Sequence, residues 1–206
     1  MIKAILFDFG DVLLKSKFKH TLIEDVTKKF TETLVIDCGT FEKIQKKYHQ
    51  SLKIGKISFS DFSKELKEEL NLKISIHKII EIWNKCYLET SILNQSLFDI
   101  VKKLKKHYKV GLISNIYNLT VKTDRKRGLL DIFEPCILSC EVGLEKPQKE
   151  IYELALKKLN INSMNCVFID NNFKYLEVPK EIGFNVIHFQ NNMQLIKDLK
   201  KIGVNF

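Results

Sequence analysis

The sequence predicts an α/β fold: a Rossmann-like parallel sheet with helices on both faces, plus a helical cap inserted after strand one. Three observations carry this reading. Short apolar, β-branched runs recur along the chain, each followed by a segment with helical spacing. Those runs are apolar almost throughout, as strands buried on both faces of a sheet are. Residues 16–92 break the rhythm, holding amphipathic segments with no convincing strand between them.

The first strand is "KAILFDF" (3–9), and the overlapping stretch "LFDFGDVLL" (6–14) stops its apolar run at Asp8. A buried strand has no use for an acid in its middle. The strand therefore ends near Asp8, and the acid either caps a turn or does chemistry. Four amphipathic segments follow: "KHTLIEDVTKKF", "TFEKIQKKYHQSL", "SFSDFSKELKEEL" and "SIHKIIEIWNKCYLE". Ser58 or Ser60 is placed to cap the third of them, with acids in its first turn. The alternation then resumes. "YKVGLISN" (108–115), "PCILSC" (135–140), "NCVFID" (165–170) and "FNVIHF" (184–189) read as strands, with helices at about 118–128, 148–159, 174–182 and 191–201. The expected division is a core of 1–15 and 93–206 carrying a helical cap of 16–92.

Composition narrows the function classes. The 206 residues fit one domain with an insertion, and 45% hydrophobic content is enough for a core. No apolar stretch reaches the ~18 to 20 residues that span a bilayer. The amino-terminal run is short and acid-bearing, unlike a signal peptide, so the expectation is a cytoplasmic protein without a membrane partner. The net charge is +9, yet only Arg125 and Arg127 among 34 basic residues are arginines, and the lysines are spread over helical faces. That pattern argues against nucleic acid and leaves a field suited to small anions. Five scattered cysteines form no CxxC pair, and Cys136 and Cys140 read as small buried hydrophobes. His188 reads as a strand residue rather than a metal ligand.

In open parallel sheets, ligands bind beyond the carboxyl ends of the strands. At those ends stand Asp8, then Ser114 and Asn115, then Lys146, then Asp170. Each alone is ordinary turn or cap chemistry. Together, at successive strand ends, they converge on one rim.

Here the chain resembles the haloacid dehalogenase-like (HAD) superfamily, in the subgroup with a helical cap between its first two motifs. "LFDFGDVLL" resembles motif one, "VGLISN" motif two, "LSCEVGLEKPQKEIYELAL" motif three and "CVFIDNN" motif four, in order and over essentially the whole chain. The resemblance implies a Mg²⁺-dependent phosphatase acting on a small phosphorylated metabolite. Asp8 is then the nucleophile, forming an aspartyl-phosphate. Asp8, Asp170 and the backbone carbonyl of Gly10 hold the metal. Ser114, Asn115 and Lys146 bind the phosphoryl group, and Lys146 also restrains Asp8.

Three positions depart from the family pattern. Gly10 stands where a second Asp usually serves as general acid and base, a group worth ~10²–10⁴-fold. Alkyl esters should therefore turn over slowly, and acyl phosphates and aryl esters should suffer less. Asp11 is one residue further on and could substitute through a bent turn or a water, although adjacent side chains in an extended segment point opposite ways. Asn171 replaces a second acid after Asp170, and Tyr175 stands where an asparagine is usual. The alternatives are a catalytically weak or inactive HAD-fold binding or regulatory protein and, further off, a 2-haloacid dehalogenase working without metal.

Overall fold

The computed structural model describes residues 1–205. Four apolar residues form β1 (Ala4–Phe7), each fully buried. A tight turn leads to β2 (Leu14–Ser16) and then to four helices, α1 (Leu22–Leu34), α2 (Cys38–Lys53), α3 (Phe59–Glu69) and α4 (Ile76–Thr90). The chain returns through β3 (Ser91–Leu93), α5 (Gln95–Leu104), β4 (Lys109–Ser114), α6 (Asn118–Lys126), β5 (Cys136–Leu138) and the single turn α7 (Ser139–Val142). It ends with α8 (Lys149–Leu159), β6 (Cys166–Asp170), α9 (Lys174–Glu181), β7 (Asn185–His188) and α10 (Asn192–Lys201).

The five longer-range strands form one parallel sheet in the order β5-β4-β1-β6-β7. Alternation along each strand divides the core in two. Ile5, Phe7, Leu112, Val167 and Ile169 face one side with α5 and α10, while Leu6, Ile113 and Phe168 face the other with α8. The register also places the first acid. Phe7 lies opposite both Leu112 and Ile169, so the next residue, Asp8, emerges beside Asp170 and one step before Ser114.

All four expected helices between β2 and β3 are present, and each begins at a side-chain cap. Thr21 and Ser58 make reciprocal capping boxes with Glu24 and Asp61, and Asp37 and Ser75 cap the other two. Of the two candidate serines for α3, Ser58 is the cap. The four helices share an aromatic core in which Phe30 and Phe59 both pack 5.0 Å from Trp83. Truncating such a buried ring costs about 3–5 kcal/mol.

Two features lie outside the sequence expectation. β2 and β3 pair antiparallel at the two joints of the helical segment, Leu14 opposite Leu93 and Ser16 opposite Ser91. Helix α5 is the second, an element the strand–helix rhythm does not single out. Cys136 and Cys140 are half-buried rather than buried, because β5 is the edge strand and Cys140 lies in the turn beyond it. Among the described residues, no helix is long and apolar enough to cross a membrane.

Candidate active site

Strand pairing carries Asp8 to the rim: its N–H still donates to the Ile169 carbonyl at 2.8 Å, although β1 has ended. The chain then turns sharply. Leu13 and Leu14 both donate to the Phe9 carbonyl at 2.9 Å, and Asp11 donates to Leu14 at 2.8 Å. These bonds fall on either side of Gly10 and do not use its carbonyl. Asp11 takes a left-handed backbone, φ 59°, so this segment is bent, and the extended geometry behind the sequence expectation does not hold. Its Oδ1 accepts the Leu22 N–H at 2.9 Å, tying the turn to the start of α1. Burial holds the Asp11 carboxyl above its usual range.

Lys146 arrives from the loop between α7 and α8. Asn115 fixes its backbone: the Lys146 N–H donates to Asn115 Oδ1 at 2.8 Å, and Asn115 Nδ2 donates to the Lys146 carbonyl at 2.9 Å. The lysine side chain is sealed from solvent and bridges two acids, with Nζ 2.7 Å from Asp8 Oδ1 and 2.6 Å from Asp170 Oδ2. The other oxygen of Asp170 accepts the Asn172 N–H at 2.8 Å. Tyr175 closes the site from the side, its ring centroid 4.9 Å from Nζ.

These three charges share one buried space. Burial pushes the Asp8 carboxyl up, to about 7; Lys146 pulls it down and Asp170 pushes it up again. Burial opposes the charge on Lys146, but its two carboxylate partners outweigh this and hold it above its usual value. With both acids ionised the trio carries one net negative charge, so a further cation is electrostatically welcome. Among the described residues, no cluster of three or more His, Cys, Asp or Glu side chains is poised to hold a metal. A hard divalent ion needs fewer: two carboxylates, a carbonyl and water suffice for Mg²⁺. Each carboxylate oxygen has two lone pairs, so its single bond here leaves capacity for a metal. The residues present fit the ion.

A cavity of about 330 Å³ opens above this group. Asp8, Gly10, Ser114, Asn115, Lys146 and Asn171 line it from the strand ends. Asp170 does not line it; it is fully buried beneath Lys146. The opposite elements are α1, α2 and α4, which contribute Leu22, Val26, His49, Lys53, Trp83 and Tyr87. Three contacts hold helices and rim together: His49 Nδ1 lies 2.7 Å from Tyr117 OH, Lys53 pairs with Glu145 at 2.5 Å, and Tyr87 OH donates to Asp124 at 2.6 Å. The turn after α2 presses on α7, where a Cβ on Gly55 would fall 2.1 Å from the Cys140 carbonyl.

Five of the six expected site residues thus meet at one cavity, and the sixth lies directly below. Asn115 differs in detail from the expectation, since both its amide atoms hold Lys146 rather than facing the cavity unengaged. His49 and Tyr117 are additions that the sequence does not announce, and Trp83 and Tyr175 also line the cavity. His188 is indeed a strand residue; its Nε2 lies 2.9 Å from the Asn171 carbonyl and Phe173 stacks on its ring.

The chain is similar to known proteins in sequence and in fold. The family model for haloacid dehalogenase-like hydrolases matches residues 2–183. The chain is 24% identical to a D-ribitol-5-phosphate phosphatase from Bacteroides thetaiotaomicron, over 98% of both chains. It is 26% identical to a glyceraldehyde 3-phosphate phosphatase from Methanocaldococcus jannaschii, over 89% of this chain and 82% of the other. Among solved structures, a HAD family enzyme from Bacteroides thetaiotaomicron, in complex with magnesium and inorganic phosphate, superposes with a TM-score of 0.75 at 23% identity, covering 92% of this chain and 95% of that one. A predicted HAD-like hydrolase from Porphyromonas gingivalis reaches 0.80 at 20% identity, over 98% of both chains. At these identities the structural likeness speaks for the fold alone. The family match extends over most of the chain: this protein belongs to the haloacid dehalogenase-like hydrolases.

Proposed function

We propose that this protein is a Mg²⁺-dependent phosphatase of small phosphomonoesters, with residues 16–92 acting as a cap over a core of 1–15 and 93–206. The observation that carries the reading is the Lys146 ammonium bridging Asp8 and Asp170 at the floor of a cavity of small-molecule size. The phosphatase names of the two curated relatives, and the magnesium and phosphate in a structural neighbour, support it.

In this reading an Asp8 carboxylate oxygen attacks phosphorus, and the bond from phosphorus to the ester oxygen breaks with its electrons going to the leaving group. Water then attacks the aspartyl-phosphate, releasing inorganic phosphate and restoring Asp8. Lys146 holds the attacking carboxylate in place and offsets the charge gathering on the phosphoryl oxygens. The Ser114 hydroxyl, at the cavity surface, donates to one of those oxygens. Asp8, Asp170 and the Gly10 carbonyl would hold Mg²⁺, which would supply the positive charge that lets two anions approach. Gly10 offers no proton to the departing oxygen, so good leaving groups are favoured.

The test is phosphate release from p-nitrophenyl phosphate, acetyl phosphate and sugar phosphates, with Mg²⁺ or EDTA, with Asp8→Asn beside the wild type. Metal-dependent turnover lost in the variant is the expected result. No turnover above the variant on any substrate would favour the second reading, a HAD-fold binding protein, to which Gly10 and Asn171 point. Halide release from haloacetates without metal would instead revive dehalogenation.

A further inference from the structure

The phosphoryl end of the cavity is polar, but the part that must receive the leaving group is not. Leu22, Val26, Ile116, Trp83, Tyr87 and Tyr117 supply its apolar and aromatic surface. The polar groups among them already have partners within the protein. Thr21 Oγ1 donates to Glu24 at 2.7 Å, and Thr120 Oγ1 donates to the Tyr117 carbonyl at 2.8 Å. Tyr87 donates to Asp124, Tyr117 and His49 hold each other, and Lys53 is drawn to Glu145. Trp83 differs: its indole N–H is buried and has no partner among the described residues.

A polyol chain packed against this helical wall would bring several hydroxyls to a surface whose only open polar groups among the described residues, apart from the Trp83 N–H, are the second ring nitrogen of His49 and the remaining Lys53 hydrogens. The open amides of Asn171 and Asn172 and the Tyr175 hydroxyl belong to the strand-end side. Each hydroxyl stripped of water and left unpaired weakens binding. A flat ring loses little on leaving water and packs against the aromatic side chains. We propose that the site takes phosphate monoesters of aromatic or heteroaromatic alcohols, with room for one ring acceptor near the Trp83 N–H, in preference to the polyol and sugar phosphates. The proposal rests on the phosphatase reading and assigns its substrate class. It also agrees with Gly10, since a phenolate leaves without help from an acid.

Leaving-group quality and fit to the wall are separable. Benzyl phosphate, glycerol 3-phosphate and ribitol 5-phosphate all release a primary alcohol, so the absent acid affects them alike. The expected result is a kcat/KM for benzyl phosphate roughly tenfold or more above both polyol esters. Calorimetry in Mg²⁺ gives a readout free of turnover: benzylphosphonate should bind about tenfold or more tighter than 2,3-dihydroxypropylphosphonate. Val26→Asn, which gives the wall an open amide, should narrow both ratios. Hydrolysis with the polyol esters equal or better overturns the ligand class and leaves the phosphatase reading standing. Tight benzylphosphonate binding without hydrolysis of any ester does the reverse. Equal or absent binding of the two phosphonates overturns the proposal.

Discussion

Asn115 grips the backbone of Lys146 at both ends, accepting its N–H at 2.8 Å and donating to its carbonyl at 2.9 Å. This pair joins the end of β4 to a loop 31 residues later and sets where the ammonium stands between Asp8 and Asp170. Asn115→Ala loses both bonds. Asn115→Asp keeps the acceptor, loses the donor and adds a charge beside the acids. A misplacement of about 1 Å costs on the order of 10²-fold in rate. Both variants should lose activity on that scale while keeping a wild-type circular dichroism spectrum. Unchanged kcat in Asn115→Ala would show that Lys146 is placed by other contacts.

Lys146→Met leaves two buried carboxylates facing each other without their cation. Breaking a buried ion pair from one side costs about 3–5 kcal/mol. The loss has a definite pH dependence. Burial already raises Asp8 above its unfolded value, and removing Lys146 takes away a lowering influence, raising it further. Stability is then retained at low pH, where the carboxyl is protonated, and lost as pH rises toward the folded value. Urea unfolding should show a larger deficit at pH 8 than at pH 6; a deficit equal at both would contradict the electrostatic account.

Gly10→Asp tests what the missing acid is worth. A Cβ built on Gly10 meets nothing within 4 Å, and the residue is not among the glycines with positive φ, so the change should be accommodated. The new carboxyl would sit at the family's usual position for a proton donor. Turnover of alkyl phosphates should rise by about 10²-fold or more, with acetyl phosphate little affected. Equal gains on both would point to altered metal binding instead.

How legible each part of the molecule is in the sequence depends on where its signal originates. Asp8, Ser114, Lys146 and Asp170 are legible because each interrupts or ends an apolar run, and parallel strands place such ends along one edge. Strands β2 and β3 are not, since three residues each, Leu-Lys-Ser and Ser-Ile-Leu, are too few to show an alternating pattern; their pairing is imposed by the chain leaving and re-entering the core. The apolar residues of α5 merge in sequence with the "SIL" of β3, which hides the helix. His49, Tyr117 and Trp83 lie beyond reach for another reason. Helical spacing shows that a face is apolar, while which edge of it meets the cavity depends on how α1, α2 and α4 settle on the rim. In sequence Tyr175 is only a lost asparagine; in space its ring stands beside the Lys146 ammonium.

Asp124 links the helices to the core, and its ionisation should set part of the stability profile. It is fully buried on α6, accepts the Tyr87 hydroxyl of α4 at 2.6 Å and lies 3.3 Å from Arg127. Burial pushes its carboxyl up, with Tyr87 and Arg127 pulling partly back, to about 6. In the unfolded chain it ionises near ~3.9. Between those values the folded state holds a proton that the unfolded state has released, so stability falls as pH rises through this window and then levels off. The full span corresponds to roughly 3 kcal/mol. Asp124→Asn keeps an acceptor for Tyr87 and cannot ionise. Relative to this variant, the wild type should lose stability steadily between about pH 4 and pH 6.5 and change little above that, as measured by urea unfolding at each pH. A wild-type advantage that instead grows with pH would mean that Arg127 outweighs burial, and that Asp124 is charged in the folded protein throughout.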